Sequence, residues 1–168
     1  MTALMLFNGL RSREVIGLRL EELHFSESEF RVVGKGNKER VLPLSEDTIE
    51  ILERYLKIER PRVSSPYVFL CLKGPQRGRP MTPAGLRSLF RHHRRGTKVA
   101  LANPHRFRHT FGTTMARSGV SLLALMHLMG HSHIHTTMLY VSLSPEDVWR
   151  EYHQAIRNMH KPPTCLEP

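Results

Sequence analysis

Between Asn103 and Tyr140 the chain carries His105, Arg108, His109, His131 and Tyr140 and no acidic residue. Those residue types suit attack by a tyrosine hydroxyl on a phosphodiester. Such a hydroxyl, with an ordinary pKa of about 10, needs help to act as a nucleophile at neutral pH. A cationic surround gives that help and also binds the ester. Arginine forks match phosphate oxygens, on which negative charge builds in the transition state. Histidines move protons or donate hydrogen bonds. A lysine on a loop can protonate the departing alkoxide. Lys35, between Gly34 and Gly36, offers a mobile ammonium with close backbone access, although a lone hairpin lysine is more commonly a solvated turn residue. This chemistry needs no metal, because arginines supply the positive charge.

Other chemistries fit less well. His105 and His109 have HxxxH spacing, but Arg106 stands where a zinc protease carries its glutamate. His131, His133 and His135 alternate as on a strand, yet no carboxylate or cysteine joins them. The chain has no nucleophile elbow for serine hydrolysis and no paired carboxylates of the glycosidase kind.

With 168 residues, one domain with a real core is expected. Lysine and arginine number 25 against 15 aspartates and glutamates, a formal charge of +10, which predicts attraction to polyanions and most simply to nucleic acid. Cys71 and Cys165 form neither a disulfide framework nor a metal spacing, which reads as a reducing, intracellular setting. No apolar run reaches membrane-spanning length and no signal peptide opens the sequence. Met1 to Phe7 reads as the end of a buried helix whose beginning is missing.

The elements that must position these groups are mainly helical. Asn8-Gly9 is a turn, and Ser12 caps a short helix with Glu14 in its first turn, three residues past Arg11. Arg11 and Glu14 alone read as an ordinary surface pair. Phe30 to Val33 and Val41 to Leu44 flank residues 34–40 as a hairpin, and Leu23 to Ser26 offers a third, edge strand. Ser45 caps an amphipathic helix that ends before Pro61. Residues 61–80 are loop-rich, with Tyr67 to Leu70 as a short strand or a buried extended segment. Thr82-Pro83 opens a helix whose outer side carries Arg87, Arg91, Arg94 and Arg95, with His92 and His93, equally a DNA-phosphate contact or a solvated face. Asn103 caps and Pro104 starts a helix on which His105, Arg108 and His109 share one face, while Phe107, Phe111 and Met115 form an apolar stripe. Another helix runs from near Ser121 to Gly130. The last begins at Ser144-Pro145 and carries an apolar stripe of Val148, Tyr152, Ile156 and Met159, which makes Tyr152 a core residue. Residues 161–168 read as a disordered tail. The fold class is mixed α+β, mainly α-helical, with a small antiparallel three-stranded sheet.

Four stretches, in order, resemble the catalytic domain of the tyrosine recombinases, the phage-integrase-like site-specific recombinases. Asn8 to Glu14 resembles the first arginine box, and Gly34 to Arg40 the β-hairpin of the catalytic lysine. Pro104 to His109 resembles the HxLRH box, with Phe107 for the usual leucine. Leu128 to His131, with Thr136, Thr137 and Tyr140, resembles the box of the second histidine and the nucleophile. The similarity covers about residues 1–152. It implies the DNA breaking-rejoining fold and a catalytic domain over residues 1–160; such recombinases usually carry an N-terminal core-binding domain as well, and here that domain is expected to be absent, since few residues precede Arg11. It implies that Tyr140 attacks a DNA phosphodiester to form a 3′-phosphotyrosyl link and release a 5′-hydroxyl, with neither cofactor nor ATP. By resemblance Arg11 and Arg108 hold the non-bridging oxygens, Lys35 is the general acid, His105 the base for Tyr140, and His131 a donor to the phosphate. Glu14 and His109 support them, and Lys38 joins the α-helical arginines as a DNA contact. The implied partners are double-stranded DNA and further copies in a tetrameric synapse, or a related recombinase, in the cytoplasm of a prokaryote or from a mobile element. The last helix is expected to dock on a neighbouring protomer. Two other readings are a non-catalytic DNA-binding relic or regulator and a basic RNA-binding module, the second without any supporting RNA motif.

Overall fold

A computed structural model describes residues 1–34, 36–96, 103–131, 133–140 and 145–159; the side chains of 95, 96, 145–147, 150, 151 and 158 also lie outside the description. Lys35, the Arg95 side chain and the tail 161–168 are therefore outside the described residues.

Helix α1 (Thr2–Phe7) buries Leu4 and Met5 and packs on the long helix α5 (Pro104–Arg117). Asn8-Gly9 turns the chain, and the Asn8 side-chain amide donates to the Pro43 carbonyl at 2.7 Å. Helix α2 (Ser12–Gly17) is capped by Arg11, one position ahead of Ser12. The reason is Glu14, whose carboxylate accepts the Arg11 amide at 2.8 Å.

The sheet has order β1-β2-β3, all antiparallel: β1 (Leu23–His24), β2 (Glu29–Val33) and β3 (Glu39–Pro43). The edge strand is shorter than expected, and β3 starts at Glu39, so the hairpin loop is shorter too. Phe30, Val32, Arg40 and Leu42 point inward by the period-2 rule, and Arg31, Val33, Val41 and Pro43 point outward. Helix α3 (Glu46–Arg54) starts at Ser45, whose hydroxyl accepts from the Thr48 amide at 3.4 Å, and continues as one π-helical turn, Tyr55–Glu59.

Tyr67 to Leu70 is a buried extended segment rather than a sheet strand. Val68, Phe69 and Leu70 enter the core, and isolated bridges join Arg19 to Tyr67 and Leu70 to Pro80. Helix α4 (Pro83–Gly96) sends Leu86 and Phe90 inward and Arg87, Arg91 and Arg94 outward. Phe107 of α5 meets Phe90 with ring centroids 5.7 Å apart. Helix α6 (Leu122–Met129) is capped by Ser121 and stops at Gly130, which takes φ +60°.

Two expectations fail. The alternating histidines are not on a strand: Ile134–Met138 forms a short helix, α7. Tyr152 is not in the core. On α8 (Pro145–Met159) Val148, Trp149 and Tyr152 are 56%, 62% and 56% exposed, because no described element covers that stripe. Ring contacts with Trp149 and His153 are its own helix neighbours.

Gly9 has the tightest place in the turn before Arg11. It takes φ +64°, and a Cβ there would fall on the Phe111 ring. Gly9→Ala is expected to cost about 2–5 kcal/mol, from left-handed backbone strain plus overpacking, measured by urea unfolding.

Candidate functional site

The site forms where α6 ends. The last carbonyls of a helix lack intrahelical partners and carry the negative end of the helix dipole. Here three guanidinium groups take three successive ones. Arg40 Nε donates to Leu128 O at 3.3 Å, Arg108 Nη2 to Met129 O at 2.6 Å, and Arg11 Nη2 to Gly130 O at 2.9 Å. Gly130 turns the chain away at this point, and a Cβ there would lie 2.7 Å from Arg40 Nη1.

One carboxylate balances the cluster. Glu14 accepts from Arg11 Nη1 at 2.9 Å and from both Nη1 and Nη2 of Arg40, at 3.0 and 3.1 Å. The Glu14 and Arg40 side chains are only 4% and 7% exposed, so this is an interior ion pair rather than the surface pair that its spacing to Arg11 suggested. Burial pushes the Glu14 carboxyl up, but the hydrogen bonds and charges of Arg40 and Arg11 outweigh it and hold the group below the usual carboxylate range.

Arg108 is buried, turned in from the helix face that it shares with His105 and His109. It also donates to the Gly9 carbonyl through Nη1. Burial, with repulsion from Arg11, pulls its pKa down to about 10, still cationic at neutral pH. Its Nη2 lies 2.8 Å from His131 Nε2. A guanidinium only donates, so His131 Nε2 accepts and the ring proton sits on Nδ1. Nδ1 then donates to Thr137 Oγ1 at 2.9 Å, and Thr137 is fully buried. Burial, then the charges of Arg108, Arg11 and Arg40, lower the His131 pKa to about 4, so the ring is neutral at pH 7.

Tyr140 completes the group. Its ring stacks on His131 with centroids 6.2 Å apart and meets His109 at 5.2 Å. Gly112 of α5 lies beneath it, where a Cβ would be 2.8 Å from the ring. The fold thus gathers Arg11, Glu14, Arg108, His109, His131 and Tyr140. His105 is exposed one turn earlier on α5, and the structure sets His109, not His105, against Tyr140. Lys38 is exposed and lines a cleft of about 720 Å³ with Arg11, Arg13, Gly34, His127 and His131. Arg87, Arg91 and Arg94 are exposed on α4. Among the described residues no group of three or more histidines, cysteines or carboxylates could hold a metal ion, and no helix is long and apolar enough to cross a membrane.

Arg40 and Thr137 were missed as site residues. Arg40 was legible: Leu42 and Leu44 are inward-facing apolar positions, so period 2 also turns Arg40 inward. Thr137 gave no such signal, because its contact depends on how the chain turns after Gly130.

Known proteins resemble this chain in sequence and in fold. The sequence profile of the phage integrase family matches residues 1–147. Tyrosine recombinase XerD of Lacticaseibacillus casei is 35% identical over 158 residues, covering 90% of this chain and 52% of that protein. The chain spans about half the length of the curated relatives it matches. A Tn1549 transposon integrase in complex with circular intermediate DNA superposes with a TM-score of 0.71 at 25% identity, over 92% of this chain and 58% of that one. XerA recombinase, at 24% identity and a TM-score of 0.70, shares the fold over 96% of this chain and 57% of that one. A profile match over most of the chain, carried on the tyrosine recombinase catalytic-domain fold, shows that this chain belongs to the phage integrase family.

Proposed function

We propose that this chain is the strand-cleaving domain of a site-specific DNA recombinase, working through a 3′-phosphotyrosyl intermediate on Tyr140. The observation that carries the reading is the convergence of Arg11, Arg108 and His131 on the end of α6, with Tyr140 stacked on His131. The arginines bind the non-bridging oxygens of a scissile phosphate and stabilise the charge that builds there. Tyr140 Oη attacks phosphorus, and the 5′-oxygen leaves as a hydroxyl with a proton from Lys35. The phenolic proton passes to His105, exposed like His109 on α5, while His109 packs on the Tyr140 ring. The covalent link conserves the phosphodiester bond energy, so rejoining requires neither ATP nor metal.

Arg108 gives one of its donors to His131 before a phosphodiester arrives. Once Arg108 turns to a phosphate oxygen, His131 Nε2 loses its donor. The added negative charge then favours a proton there, which makes His131 a donor to the phosphate. Double-stranded DNA is the partner. Full recombination takes four protomers, identical or related, on two duplexes, with the exposed stripe of α8 available to a neighbour. The setting is DNA in the cytoplasm of a bacterium, chromosomal or carried by a mobile element. Arg87, Arg91, Arg94, Arg95 and Lys38 add phosphate contacts that weaken as salt rises.

The decisive experiment is relaxation of a supercoiled plasmid in EDTA at low salt, quenched with detergent. Wild type is expected to relax the plasmid and leave a protein–DNA adduct, and Tyr140→Phe to lose both while still binding DNA. Binding without relaxation or adduct by wild type would favour a non-catalytic DNA-binding role.

Two further outcomes follow from the geometry. Gly112→Ala suits the helix, worth about 1 kcal/mol, but pushes the Tyr140 ring aside. The variant should keep its unfolding midpoint in urea yet form adduct about a hundredfold more slowly, the scale of a misplaced reacting group. His131 is held neutral, so below pH 6.5 the unfolded chain takes up a proton that the folded chain refuses. Its contribution to stability is present in full above pH 6.5 and is lost as pH falls from 6.5 towards 4. His131→Gln should flatten the fall of the unfolding midpoint with pH in that window. The loss from Glu14 begins lower, below its ordinary value of 4.5.

A further inference from the structure

We propose that Arg40 is a positioning residue for the lysine loop, holding the Gly34 end of that loop against Glu14 and the end of α6. Its two ends of contact lie on different elements. Towards α2, its Nη1 and Nη2 grip both oxygens of Glu14. Towards α6, its Nε donates to Leu128 O. The same guanidinium is wedged under the backbone of Gly130.

The hairpin transmits that hold. Arg40 pairs with Val32 across the β2–β3 ladder, and the Gly34 amide donates to Lys38 O at 2.8 Å, closing the loop at its base. A Cβ on Gly34 would lie 3.4 Å from Arg40 Nη1 and 3.6 Å from Glu14 Oε1. The backbone directly before Lys35 therefore lies about one methyl group away from the Arg40–Glu14 pair. A bidentate guanidinium fixes that pair in plane and distance, which an ammonium cannot do. Arg11 Nη1 shares the Glu14 Oε1 that Arg40 Nη1 binds, so one carboxylate sets the loop and the phosphate-binding arginine in a common frame.

This rests on the reading of Lys35 as the general acid, and the test separates the two claims. The first measurement is amide hydrogen exchange without DNA, on wild type and Arg40→Lys. The Gly34 amide should exchange about tenfold faster in the variant, with Leu86 and Phe90 of α4 unchanged, as expected for local opening. Unchanged protection at Gly34 overturns the proposal, whether or not the chain cuts DNA. The second measurement uses Arg40→Gln and a duplex carrying the cleavage sequence mapped from wild-type adducts on the plasmid. The variant should cleave it at least about tenfold more slowly, with filter retention of the duplex within about twofold of wild type. Sulfur in place of the 5′-bridging oxygen leaves as a thiolate without a proton, so it should bring the variant to within about threefold of wild type on the same substrate. A slow variant that sulfur does not rescue means that Arg40 acts only on stability or on Arg11, and the proposal falls. A wild type that forms no adduct removes the recombinase reading, and the exchange result still decides whether Arg40 holds the loop.

Discussion

The free carbonyls at the end of α6 are the constraint on which the site depends. Three arginines brought within reach of one another repel, and each loses water on burial. The partial negative charge of three successive carbonyls makes their convergence tolerable, and Glu14 supplies the one full negative charge. Each arginine comes from a different element: Arg11 from the cap of α2, Arg40 from β3, Arg108 from α5. The end of α6 thereby ties together the helix of the first arginine, the hairpin and the long central helix. Gly130 is required at the corner because φ is positive there and because Arg40 occupies the space of a side chain.

This arrangement keeps the charges in place before any ligand arrives. Arg108 has its donors on Gly9 O, Met129 O and His131 Nε2, and His131 is fixed in one tautomer by Thr137. A small anion that offers one or two weak acceptors gives such a site little reason to rearrange. Under the proposed function, a phosphodiester presents two non-bridging oxygens in the geometry of the guanidinium fork, and its attached nucleotides add contacts that help to drive the exchange.

Much of this was legible in the chain. The caps at Ser45 and Asn103, the helix start near Ser121 and the stop at Gly130 follow from local chemistry and appear where that chemistry puts them, and the hairpin forms with a loop shorter than the expected 34–40. Three of the four boxes hold the residues that the fold gathers at the α6 terminus, and Lys35 of the second lies outside the described residues. What local pattern could not convey was the depth of each group. Glu14 looked like a surface partner because its burial comes from β3 and α6, far away in sequence. Arg108 looked like part of an outward cationic row because helical spacing cannot tell which arginine finds interior carbonyls. Tyr152 was assigned to the core because an apolar stripe signals only that something should cover it, not that this chain does so. His133 and His135 suggested a strand because alternation over five residues is too short to separate from one turn of helix.

The stripe on α8 also gives the molecule an optical handle. Trp149 is the only tryptophan in the chain, and it stands 62% exposed with the His153 ring stacked 6.0 Å away. Its emission therefore comes from a single indole that is largely in water and next to an imidazole. Anything that covers α8 takes that indole into apolar surroundings and shifts its fluorescence to the blue, while events confined to the arginine cluster leave the colour alone. One intrinsic fluorophore thus separates assembly of the protein from occupation of its site.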